Sequence, residues 1–316
     1  MAGTTIYYAS DVHGSERCFR KFLNAAKFYR ANVLVMGGDI LGKAIVFLEE
    51  ERPGVFVTEE HGHQVRFTSV DELQAFEKRA SDKGLYPYRC RLGEQQELRD
   101  SGKIGPLFEY LMRKRLEEWV ALADERLAGT GVRCFIMGGN DDPPSVLEAL
   151  AEASVVCNPE EHIVQLNEDN EMISCGWSNP TPWHTPRECS EEDLGKGIDA
   201  LMARVKRPEA AVMNLHVPPY QSGLDDAPEL DATLKVQTSL GQTRFKPVGS
   251  TAVRAAIERY QPLLGLHGHV HEAHASCKIG RTVCINPGSD FSEGVLHGVL
   301  VTLNKGKLKG YQMVSG

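Results

Sequence analysis

Short apolar runs recur along the chain, and each ends in a polar corner that contains glycine or a potential ligand. They cover residues 5–10, 33–36, 132–137, 211–215 and 263–266. Runs of this length that are rich in Val, Ile and Leu predict buried strands. Two more strands are predicted late in the chain, at residues 282–285 and 295–302.

Amphipathic segments lie between these strands, with apolar residues three and four positions apart. Ser15 is the expected N-cap of one helix, and further helices are expected from Ser190 and from Thr251. Ser145 and Glu148 have the spacing of a capping box. This alternation of strands and helices predicts an α/β fold.

Residues 43–130 interrupt the alternation. A hairpin is predicted from strands at residues 55–58 and 65–68, with His61 and His63 in its turn, and a helix over residues 107–127. We therefore predict a single domain over residues 1–316, with an insertion at about 43–130 that forms a partial cap beside the functional site.

The composition is that of an ordinary globular protein, with 41% hydrophobic and 25% charged residues. The formal charge of −8 gives no uniform basic field, so nucleic acid is not the expected partner. No apolar run approaches the roughly 20 residues of a membrane helix, and the N-terminus lacks a signal-peptide pattern. The eight scattered cysteines form no C-x-x-C pair and are expected to be reduced, so a cytoplasmic protein is predicted.

Five polar motifs stand where the predicted strands end. In chain order they are Asp11-Val12-His13, Gly38-Asp39, Gly139-Asn140-Asp141-Asp142, His216 and Gly268-His269-Val270-His271. Ligands of open α/β sheets bind at the carboxyl ends of strands. A pair of divalent cations about 3.5–4 Å apart needs a bridging carboxylate with His, Asp or Asn around it. Singly, these residues would serve equally as helix caps or buried histidines, but together they predict a metal site.

The five motifs resemble those of the calcineurin-like metallophosphoesterase superfamily, whose pattern is D-x-H, G-D, G-N-H-[DE], a lone His and G-H-x-H. The sequence around His216 and Asn286-Pro-Gly-Ser289 is similar to its small bacterial and archaeal phosphodiesterase branch. The resemblance implies a four-layer αββα sandwich of two mixed β-sheets. It implies one metal held by Asp11, His13, Asp39 and His271, and a second held by Asp39, Asn140, His216 and His269. Asp39 is the implied bridge.

The function implied is that of a binuclear-metal-dependent phosphoesterase that hydrolyses a small phosphodiester, such as a nucleotide-derived one, by a metal-bridging hydroxide. The mixed nitrogen and oxygen donors favour two ions drawn from Mn, Fe, Zn, Co or Ni. A phosphomonoesterase is the first alternative and a nuclease the next. A non-catalytic binding scaffold with the same fold is the rival from another class.

Asp141 departs from the pattern, because the superfamily has a histidine there. Asp141 is the predicted catalytic residue, a leaving-group acid whose pKa is raised by its surroundings. His184 or His267 are alternatives for this step, and a substrate with a good leaving group would need no acid.

Two other features allow competing interpretations. The segment from Gly37 to Lys43 matches the P-loop pattern G-x-x-x-x-G-K, but Ala44 lacks the hydroxyl that would hold magnesium. Asp39 would also place a carboxylate among the phosphates, so a triphosphatase is disfavoured. A loop with two tryptophans, Trp177 and Trp183, is predicted either to face a substrate group or to pack on the surface.

Overall fold

Helices and strands alternate along the chain as the apolar pattern predicts. The computed structural model describes residues 3–60, 62–239 and 241–316. The helices are α1 (Glu16–Phe28), α2 (Val70–Asp82), α3 (Glu94–Asp100), α4 (Ile104–Leu127), α5 (Pro144–Leu147), α6 (Glu191–Met202) and α7 (Thr251–Tyr260), with short 3-10 helices at Glu148–Glu152, Pro208–Ala210 and Phe291–Glu293. The strands are β1 (Thr4–Ala9), β2 (Val33–Gly37), β3 (Ala44–Arg52), β4 (Val55–Glu60), β5 (His63–Phe67), β6 (Leu85–Arg91), β7 (Arg133–Met137), β8 (Val156–Cys157), β9 (Val164–Gln165), β10 (Glu171–Cys175), β11 (Val212–Leu215), β12 (Asp226–Pro228), β13 (Thr238–Ser239), β14 (Gln242–Thr243), β15 (Phe245–Pro247), β16 (Leu264–Leu266), β17 (Ala275–Ile279), β18 (Thr282–Asn286), β19 (His297–Asn304) and β20 (Lys307–Ser315).

Most of the predicted strands pair into two sheets. The first sheet has the order β20-β19-β1-β2-β7-β8, and the second sheet has the order β17-β18-β16-β11-β10-β9. Strands β1, β2 and β7 run parallel, as do β10, β11, β16 and β18, whereas β19 and β17 pair antiparallel with their neighbours. Both sheets are therefore mixed, which confirms the predicted α/β class.

The apolar core forms separate layers around these sheets. One cluster joins residues of both sheets, among them Tyr8, Val35 and Leu266. Helices α1 and α4 pack on the opposite face of the first sheet, where the rings of Phe19 and Trp119 stack 4.1 Å apart. Helices α6 and α7 cover the other face of the second sheet. The described residues thus form one apolar cluster shared by the two sheets and further clusters with the helices beside each sheet.

A further sheet, called here the insertion sheet, has the order β5-β4-β3-β6. Helix α2 packs on it through Leu73 and Phe76, which contact a core that also contains Leu48. The predicted hairpin is confirmed as β4 and β5, but β3 and β6 were not predicted. His61 lies outside the described residues, and His63 is exposed. The predicted helix at 107–127 is α4, which packs on the first sheet.

Side-chain caps start two of the predicted helices, and the cap at Ser15 was itself predicted. The hydroxyl of Ser15 accepts from the backbone N–H of Cys18, and that of Ser190 accepts from the N–H of Asp193. The capping box at Ser145 is wrong. Helix α5 begins at Pro144 without a side-chain cap and soon passes into a 3-10 turn, since proline suits the first helical turn. No helix among the described residues is long and apolar enough to cross a membrane.

Candidate metal centre

The structure brings the seven predicted ligands together at the carboxyl ends of five strands. Asp11 and His13 follow β1, Asp39 follows β2, Asn140 follows β7, His216 follows β11, and His269 and His271 follow β16. Because neighbouring strands in each sheet run parallel, their carboxyl ends share an edge, and the loops beyond them converge. The first three motifs come from the first sheet and the last two from the second.

The backbone at these corners is unusual. Asp11, His13, Asp39 and His269 have φ values of 57°, 39°, 49° and 67°. Residues other than glycine seldom adopt positive φ, and such conformations persist only where surrounding contacts enforce them. Here the N–H groups of Asp11 and His13 donate to the carbonyls of Gly38 and Asp39, at 2.9 and 3.0 Å. The corners after β1 and β2 are therefore tied to each other.

One cluster of donors contains Asp11, His13 and His271. Nε2 of His13 lies 3.0 Å from Nε2 of His271, and Nε2 of His271 lies 3.6 Å from Oδ1 of Asp11. Their ligand atoms lie close enough together to hold a metal ion. The rings of His13 and Phe291 lie 4.7 Å apart, so an apolar wall flanks this cluster.

A second cluster contains Asp39, His216 and His269, and its ligand atoms also lie close enough to hold an ion. Oδ1 of Asn140 is 3.1 Å from Nε2 of His216 and 2.7 Å from Nδ1 of His269. The other ring nitrogen of His216 contacts the carbonyl of Gly37 at 2.9 Å. A hydrogen bond of this kind to a backbone carbonyl orients an imidazole toward a metal.

Asp39 lies between the two clusters. Its Oδ2 is 3.7 Å from Nε2 of His13, and its Oδ1 is 3.4 Å from Nε2 of His216. The side chain is almost fully buried, at 4% exposure. One carboxylate thus presents one oxygen to each cluster, which is the arrangement that a bridging ligand needs.

Strong mutual interactions shift the pKa values of these groups. Burial opposes the charged form of His216, but the negative charge of Asp39 raises the pKa of His216 to about 9. Burial also opposes ionisation of Asp11, yet the positive charges of His216 and His271 lower the pKa of Asp11 to about 2. Burial and the charge of His216 lower the pKa of His269 to about 4. A cluster of buried carboxylates and imidazoles with such shifted pKa values is typical of a functional site.

A chain of hydrogen bonds orients Asn140. Its Nδ2 donates to Oγ1 of Thr185 at 2.9 Å, and that hydroxyl donates to Glu188 at 2.7 Å. Because the threonine oxygen accepts from the amide, the other end of Asn140, its Oδ1, is directed at the histidines. The motif search did not find Thr185, which lies just beyond the tryptophan loop. In that loop Trp183 is exposed, and Trp177 stacks on Arg187.

Asp141 also reaches the centre, and it has a partner that the sequence analysis did not single out for this site. Its Oδ2 lies 4.0 Å from Nδ1 of His13 and 2.7 Å from Nζ of Lys43. Burial and the charge of Asp39 raise the pKa of Asp141, while Lys43 acts in the opposite direction. Lys43 stands four residues after Asp39 in the sequence, and this nearness to a predicted ligand was the one hint that Lys43 lies at the site.

The two alternative acids differ in placement. His267 is fully buried, and one of its ring nitrogens contacts the carbonyl of Leu215 at 2.9 Å. Burial lowers the pKa of His267 to about 4. A substrate therefore has no direct access to this ring. His184 is exposed.

Comparison with known proteins supports the fold of the chain. No family model matches the chain. Uncharacterized protein MJ1162 of Methanocaldococcus jannaschii is 29% identical over 151 residues, which cover 47% of this chain and 61% of that protein. The chain therefore matches less than two thirds of the length of this relative.

Solved structures extend the comparison to the whole chain. A crystal structure with 15% identity superposes with a TM-score of 0.57 over 99% of this chain and 98% of that one. The protein TT1561 of Thermus thermophilus, at 13% identity, gives a TM-score of 0.55 over 100% and 99% of the two chains. At such low identity these matches establish the fold alone. The matches confirm the predicted α/β fold, whereas the resemblance to the calcineurin-like metallophosphoesterase superfamily rests on the five sequence motifs.

Proposed function

We propose that this protein is a binuclear-metal-dependent phosphoesterase that hydrolyses a small phosphodiester. The observation that carries the proposal is Asp39, whose two carboxylate oxygens face Nε2 of His13 and Nε2 of His216 at 3.7 and 3.4 Å. A single buried carboxylate between two sets of imidazoles suits a pair of cations better than one.

The donor set fits divalent metals. Two imidazole nitrogens face each other at 3.0 Å in the first cluster, and an amide oxygen lies between two imidazoles in the second. Asp11, His13, Asp39 and His271 would hold the first ion, and Asp39, Asn140, His216 and His269 the second. Mixed nitrogen and oxygen donors of this kind suit Mn, Fe, Zn, Co or Ni.

Bound divalent ions would supply a hydroxide nucleophile near neutral pH and neutralise charge on the phosphoryl oxygens. The chain's own residues complete the site. Asp141, partly exposed and 4.0 Å from Nδ1 of His13, would in its protonated form give a proton to the departing oxygen. His216 is held by the carbonyl of Gly37, which keeps Nε2 directed at Asp39 and Asn140. Phe291 limits access of water on the side of His13 and His271.

The first test is metal analysis of the purified protein, paired with turnover of bis-p-nitrophenyl phosphate and p-nitrophenyl phosphate in the presence of manganese. We expect two metals per chain and faster turnover of the diester. Faster turnover of the monoester would favour the phosphomonoesterase, and metal binding without turnover of either compound would favour the scaffold. A protein that binds no metal would contradict the proposal.

The role of Asp141 is tested separately with Asp141→Asn. If Asp141 protonates the leaving group, this variant loses more activity on a diester with an alkoxide leaving group than on one with nitrophenolate. Equal losses on both substrates would remove Asp141 as the acid.

We retain a cytoplasmic location as part of the proposal, and all eight cysteines are free.

A further inference from the structure

Lys43 lies at the mouth of the metal centre. Its Nζ is 2.7 Å from Oδ2 of Asp141, and the lysine side chain is 52% exposed while that of Asp141 is 20% exposed. The same carboxylate oxygen is 4.0 Å from His13 in the first cluster. An ammonium group in this position borders both the solvent and the donors of the site.

The insertion holds Lys43 in place. Lys43 directly precedes β3, which pairs in parallel with β6 from the register Ala44 opposite Leu85. The N–H of Gly42 donates to the Tyr86 hydroxyl at 2.9 Å. Gly42 also packs against the carbonyl of Gly84 so closely that a Cβ at position 42 would lie 2.0 Å from it. The backbone before Lys43 is thus fixed by residues of the insertion.

On its other side, the same backbone is tied to the third motif. The N–H groups of Ile40 and Leu41 donate to the carboxylate of Asp142 at 2.9 and 2.8 Å. The loop from Asp39 to Lys43 is therefore held between Asp142 and the insertion sheet. These hydrogen bonds fix the backbone from which the flexible side chain of Lys43 extends.

The charge of Lys43 matters because this chain has an aspartate, Asp141, where the superfamily pattern has a histidine. In its ionised form, Asp141 would repel the oxygens of a phosphoryl group, and such repulsion is strong where water is partly excluded. Lys43 offsets this charge. An ammonium group has three N–H donors, so a lysine that contacts Asp141 can also donate to a phosphoryl oxygen.

We propose that Lys43 is a substrate-contacting residue that binds a phosphoryl oxygen, and that the insertion positions it through Tyr86 and Gly84. Lys43 thereby supplies N–H donors for the substrate beside Asp141. The inference rests on the proposed function, and it gives the insertion a role in the site beyond that of a cap.

The test uses full-length protein loaded with manganese and inorganic phosphate as the probe. The variants are Lys43→Met, Lys43→Arg and, as a matched control, Lys196→Met, because Lys196 is also exposed and pairs with a carboxylate, that of Glu192 at 2.6 Å. We expect Lys43→Met to keep both metals, to weaken phosphate inhibition by about tenfold or more, and to lower kcat/KM by about 100-fold. Lys43→Arg should recover most of both losses, and Lys196→Met should match the wild type.

The double variant Lys43→Met with Asp141→Asn distinguishes two roles of Lys43, namely binding of phosphate and neutralisation of the Asp141 charge. If Lys43 contacts the phosphoryl group, phosphate inhibition stays weak in the double variant. Recovery of wild-type inhibition there would overturn the inference, because Lys43 would then serve only to neutralise Asp141. Unchanged phosphate inhibition in the metal-loaded Lys43→Met protein would overturn it too. A wild-type protein without metal would instead overturn the proposed function, and this inference with it.

Discussion

The two-sheet sandwich and the insertion contribute to the candidate site in different ways. The sandwich supplies all seven predicted metal ligands, each at a strand end and four of them with positive φ. The insertion supplies none of these ligands, but Tyr86 and Gly84 hold the backbone beside Lys43. Changes in the sandwich should therefore alter metal binding, whereas changes in the insertion should alter turnover at constant metal content.

The largest effect is expected for Asp39→Ala. This change removes the carboxylate that faces both clusters, so both metals should be lost and kcat/KM should fall by about three orders of magnitude or more. Metal content by mass spectrometry and turnover of bis-p-nitrophenyl phosphate measure the two losses. Retention of two tightly bound metals would show that Asp39 is not the bridge.

Single-cluster variants should separate the two metals. Asn140→Ala should mainly weaken the second metal and His271→Ala mainly the first, because each side chain contacts donors of one cluster only. We expect a fall in kcat/KM of about 100-fold for each. Titration of the metal-free variants with manganese should give one tight and one weak site. Equal weakening of both sites in both variants would contradict this division of ligands.

The sandwich also predicts a pH dependence of metal uptake. The pKa of His216 is raised to about 9 by Asp39 despite burial, so a metal must displace a proton at pH 7. Affinity should rise by up to about tenfold per pH unit below that pKa, for one displaced proton. Conversely, the Asp39 pairing stabilises the metal-free fold fully below the ordinary histidine pKa of 6.5, and this stabilisation is lost as pH rises through about 9. Calorimetric manganese titrations at several pH values test this, and an affinity independent of pH would exclude proton displacement.

The sequence was most informative where a residue's type, its neighbours and its position at a strand end agree. Asp39 and His216 follow buried apolar strands, so their places at the sheet edge could be predicted without coordinates. Lys43 could not be assigned in this way, since lysine is common on surfaces and its partner Asp141 is distant in sequence. Strand β6 was missed because Pro87 and alternating Arg and Tyr side chains obscure its apolar pattern.

Thr185 illustrates a further limit, because its effect depends on a contact between distant segments. Thr185→Val removes the oxygen that accepts from Asn140, so the amide is no longer held with Oδ1 toward the histidines. We expect the second metal to bind about tenfold more weakly, as is usual when such supporting contacts are lost. Thr185→Ser keeps the hydroxyl and should bind metal like the wild type. If the serine variant were as weak as the valine variant, loop packing rather than amide orientation would be responsible.

The smallest effect is expected for Tyr86→Phe, and it tests the insertion most directly. The change removes the acceptor for the N–H of Gly42 while keeping the ring that packs on Arg115 and Phe108. An unsatisfied buried N–H costs about 1–3 kcal/mol of stability. Turnover should fall several-fold because Lys43 is less well positioned, but both metals should remain.

Tyr88→Phe is the matched control for this change, since Tyr88 lies on the same strand and its hydroxyl contacts Glu94 at 3.2 Å. Chemical denaturation, metal content and kcat/KM are compared for the two variants. Metal loss in Tyr86→Phe would contradict the assignment of metal binding to the sandwich and of Lys43 positioning to the insertion. Equal losses of turnover in the two variants would mean that general loosening of β6, rather than the contact with Gly42, controls Lys43. A loss confined to Tyr86→Phe, with two metals retained, would place the insertion's contribution at the backbone beside Lys43, because no ligand of either cluster is altered.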